Sequence, residues 1–342
     1  MMRLAGVVVV SLALWSLTAV AASADKRVAL VIGNSAYVHA PPLANPRNDA
    51  ADMAAKLKEL GFEVVVGLDL DKAGMERRIR QFAESMPDAR MALFFYAGHG
   101  LQVAGKNYLV PTDAALETVP SLDFEATPFD FIQQQMERHP SVNVYILDAC
   151  RNNPLGRSLA RAMGTRSAAI KPGLAKIQAG RQDTIISFST QPDNVALDGT
   201  GRNSPFSAAL LKHLAAPDKD MAAVFVAVRK DVLAATDGGQ VPWENSSLTG
   251  QFFFKQRDFA APGAMEPYTD RPGYDIEDAQ RAAGSAEACR DACYTDIRCR
   301  AWTHVRPGIL GPEPRCFLKN AIPPAQANSC CTSGVKGVAP RR

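Results

Sequence analysis

Val142-Asn-Val-Tyr-Ile-Leu-Asp-Ala-Cys-Arg-Asn-Asn-Pro154 decides how this 342-residue chain is read. It opens as an apolar run rich in β-branched and aromatic residues, the pattern of a buried strand. It breaks at Asp148-Ala149-Cys150-Arg151, and two Asn and a Pro end any regular structure. Open α/β sheets carry their chemistry where a buried strand gives way to a loop. A free Cys is also often a small core residue. The charges flanking Cys150 speak against that reading, since each needs solvent or a partner.

Met91-Ala-Leu-Phe-Phe-Tyr-Ala-Gly-His-Gly100 repeats the pattern upstream, with an apolar run ending at a His between two glycines. Gly98 and Gly100 permit backbone conformations closed to other residues and a close approach by a ligand. The other histidines lie in less suitable settings: His39 and His139 near turns or prolines, His213 in a helical pattern, His304 in a cysteine-rich tail. A thiol is only a few per cent thiolate near neutrality, so an imidazole beside Cys150 would activate it.

Strands alternating with helices predict a mostly parallel, doubly wound sheet. The predicted strands are 27–33, 62–68, a run from Met91 with His99 at its end, a run from Val142 ending at Cys150, 184–188 and 251–254, with 107–111 a short edge strand. The predicted helices are 48–60, 72–86, 128–138, 203–215 and 219–235. In such a sheet His99 and Cys150 emerge at one edge. Asp49 reads equally as the cap of the first helix or as a site carboxylate, and Trp243 as core filler or as a cleft wall, with core filler preferred.

Cysteine usage divides the chain. Cys150 is the one Cys between 25 and 288, and the other six fall in 289–331. An even set in a short exported segment reads as a disulfide framework, and its spacings do not fit the usual zinc pairs. Arg3, an apolar run to Val20 and Ala22-Ser-Ala24 describe a secretory signal peptide, with an uncleaved anchor as the alternative. The product is expected to be periplasmic or secreted. With 47% hydrophobic and 21% charged residues the composition is globular, and a net charge of +3 is too small to point to nucleic acid. Residues 151–183 are cationic with no sustained apolar period, and 256–272 read as a linker.

The Tyr96-Ala-Gly-His-Gly and Asp148-Ala-Cys-Arg-Asn-Asn-Pro motifs, preceded by Arg27-Val-Ala-Leu-Val-Ile-Gly-Asn34, resemble the caspase-like cysteine peptidases, most closely bacterial metacaspase-like members. His and Cys 51 positions apart match the caspase spacing. The resemblance implies a caspase-like domain over 25–255, with Cys150 as nucleophile, His99 as general base and acid, and the N–H groups of Gly100 and Cys150 as oxyanion hole. It also implies a pocket for Arg or Lys built on Asp148 and Asp49. Ala97 stands where metacaspases often carry a pocket Ser. The run 151–183 becomes the linker between large and small subunit regions, hence a candidate self-cleavage site, unless it is simply a solvated loop.

Some metacaspases bind calcium, for which Asp113, Glu117, Asp123 and Glu125 are the candidates; otherwise no cofactor or metal is implied. With Cys289-x3-Cys293, Cys299, Gly273-Tyr-Asp, Arg300-Ala-Trp302-Thr and Cys316-Phe-Leu-Lys319, residues 273–338 resemble a small disulfide-rich α+β PAN/Apple module. That resemblance pairs Cys289 with Cys316 and Cys293 with Cys299, leaves Cys330 and Cys331 unassigned, and implies a protein or carbohydrate ligand. The competing readings are a catalytically silent scaffold that works through its PAN/Apple-like module, a thiol amidase acting on cell-wall peptides, and a redox thiol.

Overall fold

The computed structural model describes residues 26–139, 141–149, 154–164, 170–171, 173–180, 183–192, 194–216, 219–250, 252–255 and 265–337. The signal-peptide reading, Cys150, and Arg151, Arg166 and Arg181 of the cationic run lie outside the described residues. The elements run β1 (Arg27–Gly33), α1 (Pro46–Glu59), β2 (Glu63–Leu68), α2 (Lys72–Ser85), β3 (Met91–Gly98), β4 (Gly100–Val103), β5 (Lys106–Leu109), α3 (Ser121–Glu125), β6 (Thr127–Pro128) and α4 (Phe129–Glu137). They continue with β7 (Val142–Ala149), α5 (Pro154–Met163), β8 (Ile170–Lys171), β9 (Thr184–Phe188), α6 (Pro205–His213), α7 (Met221–Ala235) and β10 (Trp243–Ser246). The last set is β11 (Glu266–Asp270), β12 (Arg281–Ala282), α8 (Ala286–Thr295), β13 (Ala301–Val305), β14 (Arg315–Lys319) and β15 (Gln326–Val335).

The main sheet has strand order β10-β9-β7-β3-β1-β2. All its pairings are parallel except β9 with the edge strand β10. Every residue of β1, β3 and β7 is buried, as continuous apolar runs require when helices cover both faces. On one face Ala50, Met53 and Leu57 of α1 pack with Phe206 of α6 and Val224 and Val228 of α7. On the other, Met75, Ile79 and Phe82 of α2 pack with Phe129 and Ile132 of α4.

Four expectations change. Residues 252–255 form no strand. Their carbonyls are taken instead by the Met221 N–H and by the guanidinium of buried Arg27, which donates to Phe253 and Phe254. The sheet edge is β10, and Trp243 on it is 43% exposed, so it is not core filler. Part of the cationic run is helix: Leu155 and Leu159 of α5 are buried with Leu101 and Val103, a short i, i+4 stripe masked in sequence by the arginines around it. Finally, β5 is interior to a second antiparallel sheet, β6-β5-β4-β8, rather than an edge.

Beyond 265 a five-stranded sheet, β11-β15-β13-β14-β12, packs against α8. Disulfides join Cys289 to Cys316, Cys293 to Cys299, and the adjacent Cys330 and Cys331. This unit meets the main domain beside Arg27, at the amino ends of the parallel strands. There the Arg300 guanidinium lies 3.6 Å over the Phe253 ring, and Ile297 packs on the main core. At about 3.3 Å per residue, the eight residues of β3 separate that end from His99 by roughly 25 Å. Among the described residues, no helix is long and apolar enough to cross a membrane.

Candidate active site

β3 and β7 are neighbours in parallel register, with Ala97 opposite Asp148 and Gly98 opposite Ala149. The next residue on one strand is His99 and on the other Cys150. The two sequence motifs therefore end at adjacent strand termini, where the chain from β3 turns away into β4. His99 is buried, and its ring centroid lies 4.5 Å from that of Tyr37 at an interplanar angle of 49°. Gly98 has φ +151°, and a Cβ there would stand 2.6 Å from Tyr37 Oη and 2.8 Å from Tyr96 Oη. Only Gly fits. A Cβ on Gly100 would lie 3.2 Å from the Ala149 side chain, so the Gly100 backbone runs against the residue preceding Cys150.

Asp148 is fully buried, and its carboxylate is held from α6. Ser204, the N-cap of that helix, and Ser207 both donate their hydroxyls to Oδ2, the latter at 3.0 Å. The Ser204 N–H donates to Asp49 Oδ1 at 3.0 Å. Asp49 thus lies within α1, one turn past its start at Pro46, and does not cap the helix. Its carboxylate faces α6 and shares one serine with Asp148. Ala97 sits on β3, opposite Asp148. The hydroxyls Asp148 receives come from α6. Ser204 and Ser207 are the site residues that the sequence reading missed: at a Ser-Pro helix start, a serine signals a cap and nothing more.

The loop before α6 is laced to the start of α1. Arg202 makes a bidentate pair with Asp52 at 2.9 and 2.8 Å, and Asn203 donates to the same carboxylate at 3.0 Å. The Arg202 hydrogen bonds hold Asp52 below the ordinary carboxylate value. Asp198 accepts from the Ala44 N–H at 3.0 Å.

The four calcium candidates do not form one ligand set. Glu125 accepts the N–H groups of Ala115 and Leu116, both at 2.8 Å, and Asp113 accepts the Lys72 N–H at 3.0 Å. Burial would raise Glu125, but those two N–H groups keep its carboxyl below the usual value. No three of the candidates bring ligand atoms within 4.8 Å of one another, so they do not fit the six to eight oxygens calcium takes.

Known proteins extend the comparison. The Caspase domain family matches residues 26–253, and a PAN domain matches 269–319. Human mucosa-associated lymphoid tissue lymphoma translocation protein 1 is 32% identical over 130 residues, which is 37% of this chain and 15% of that protein. Mouse Caspase-1 is 26% identical over 207 residues, 55% of this chain and 48% of that one. The chain spans about half or less of the length of these relatives. Among solved structures, Caspase-1 from Spodoptera frugiperda shares 20% identity with a TM-score of 0.48, covering 69% of this chain and 92% of its own. A family match over well more than half of the residues settles membership: the chain belongs to the caspase-domain family and carries a PAN domain after its caspase domain.

Proposed function

We propose that this protein is an exported cysteine endopeptidase of metacaspase-like specificity, cutting protein substrates after Arg or Lys. What supports the reading is the register of β3 with β7, which brings Gly98 and Ala149, the residues before His99 and Cys150 in sequence, side by side. In the proposed reaction the Cys150 thiolate attacks the scissile carbonyl, and the resulting oxyanion is received by the N–H groups of Gly100 and Cys150. The tetrahedral adduct collapses to a thioester as His99 gives its proton to the leaving amine. His99 then takes a proton from water, which hydrolyses the thioester and regenerates the thiol. Removing one oxyanion donor typically costs about 10²–10³ in rate.

Specificity for a basic residue rests on Asp148 and Asp49, two carboxylates joined through Ser204. A cationic substrate side chain would meet a negative site already ordered by neutral donors. Truncating one partner of a desolvated charge pair costs roughly 2–5 kcal/mol. Self-cleavage within 151–183 belongs to the same proposal. Among the described basic residues of that run, Arg157 and Arg161 lie on α5 and Lys171 on β8, whereas Lys176 is exposed on irregular backbone and is the first candidate.

The test uses purified residues 25–342 with fluorogenic peptides ending in Arg, Lys or Asp, beside a Cys150→Ala control, with and without calcium. Cleavage after Arg or Lys that vanishes in the control is the expected result. Cleavage after Asp alone sinks the pocket assignment. Silence under every condition sinks the peptidase and favours a silent scaffold that works through its PAN domain.

A further inference from the structure

We propose that Tyr37 and Tyr96 are positioning residues that clamp His99 by both ends of its peptide backbone. His99 lies between the last residue of β3 and the first of β4, where the chain passes from one sheet to the other. At that step the phenol oxygen of Tyr37 accepts the His99 N–H at 2.7 Å. The Tyr96 hydroxyl donates to the His99 carbonyl at 2.8 Å and lies 3.1 Å from the Val110 carbonyl, so its one proton is shared between two acceptors. The two phenol oxygens stand 3.5 Å apart. The Val110 N–H adds a third bond, to the His99 carbonyl at 3.1 Å. Side-chain hydroxyls thus stand in for ladder hydrogen bonds at the point where the proposed catalytic histidine leaves the sheet.

The tyrosines reach this point from separate elements. Tyr96 belongs to β3 itself and is fully buried. Tyr37 sits on the loop after β1, which is pinned by the Val38 N–H to the Thr112 carbonyl at 2.8 Å and by the Tyr37 N–H to Ser35 at 3.1 Å. Its ring also packs against the imidazole, so one residue fixes both the backbone and the ring of His99. The same two oxygens exclude any Cβ at Gly98. The glycine before the histidine is therefore the space the clamp occupies. A reacting imidazole displaced by about 1 Å can lose 10² in rate, which is the scale on which such a clamp acts.

The proposal rests on His99 as the general base, and its test separates the two ideas. Full-length Tyr37→Phe, which keeps the ring and loses the acceptor, is compared with Tyr96→Phe and the parent. Steady-state cleavage of an Arg peptide is measured beside hydrogen exchange of the His99 amide in ¹⁵N-histidine-labelled protein. Tyr37→Phe is expected to expose the His99 amide to exchange at least about tenfold faster while the His213 and His304 amides are unchanged. It is also expected to lower kcat about 10–100-fold with KM within twofold and the melting temperature close to the parent. Tyr96→Phe, which leaves the Val110 bond in place, is expected to have a smaller effect of the same kind. Unchanged His99 exchange overturns the clamp, as does a rate loss carried by KM or by melting. Faster exchange in a protein whose parent cleaves nothing supports the clamp and sinks the peptidase reading alone.

Discussion

The hydroxyl of Ser204 donates to the carboxylate of Asp148 across the gap between α6 and β7, two positions before the residue proposed as nucleophile. The same oxygen accepts the Ser207 N–H at 3.0 Å, so a helix cap doubles as a support for a buried carboxylate. The amino end of α6 adds its partial positive charge to that support. Replacing Ser by Gly at a cap costs only a few tenths of a kcal/mol. Ser204→Gly therefore removes the Asp148 contact with little loss of helix. The bond lost is one of two hydroxyl bonds to that carboxylate, and such a bond is worth about 1–3 kcal/mol. The expected result is a fall in kcat/KM for Arg peptides of roughly 5–150-fold, with melting within a few degrees of the parent. An unchanged kcat/KM would remove Ser204 from the site.

Gly98→Ala tests the backbone at His99. The new methyl meets two phenol oxygens and holds an L residue at φ +151°, so strain and overpacking together cost about 2–6 kcal/mol. Gly105 has φ +80°, and a Cβ there would meet nothing within 4 Å, so Gly105→Ala carries the conformational part alone. Chemical denaturation of both should show the larger loss at 98. Adding Tyr37→Phe to Gly98→Ala should return part of it, since the 2.6 Å contact is gone. Equal losses at 98 and 105 would show that the phenol oxygens do not matter.

How much of this was legible depended on what each residue advertises. β3 is an unbroken apolar run and β7 an apolar run interrupted only by Asn143, and each ends at polar residues or glycines, so His99 and Cys150 stand out in the sequence. Ser204 did not, because a hydroxyl at a helix start already has a local reason to be there. Residues 252–255 misled in the opposite sense. Phe252 and Phe254 are as buried as strand residues, yet the carbonyls of this segment are satisfied by Arg27, a side chain 226 and 227 positions away, which no local pattern encodes. Trp243 reads as filler because a lone Trp in a loop often just covers an edge, but it lies on the edge strand itself, which leaves one side open.

Acid should weaken the PAN domain through Asp296. Burial would raise this carboxyl, but hydrogen bonds from the Arg298 side chain and N–H hold it below its ordinary value. A depressed folded-state pKa contributes stability that is present above the unfolded value of about 3.9 and is lost as pH falls through the folded value. Hydrogen bonds to a charged group are worth about 1.5–3 kcal/mol. Asp296→Asn should therefore melt lower at pH 7 and lose less on going from pH 5 to pH 3 than the parent. Parallel melting curves over that interval would rule Asp296 out as a source of the acid sensitivity.

The contact between Arg300 and Phe253 predicts a separation of structure from turnover. Cation–π pairs contribute about 0.5–2 kcal/mol, and this one joins the PAN domain to the segment that Arg27 anchors at the amino ends of the strands. His99 and Asp148 lie at the carboxyl ends of those strands. Arg300→Ala should therefore loosen the docking, read as faster trypsin cleavage between 255 and 265. Turnover of short peptides should stay within twofold of the parent. A peptide rate that falls together with docking would mean that the PAN domain acts on the cleft through the sheet.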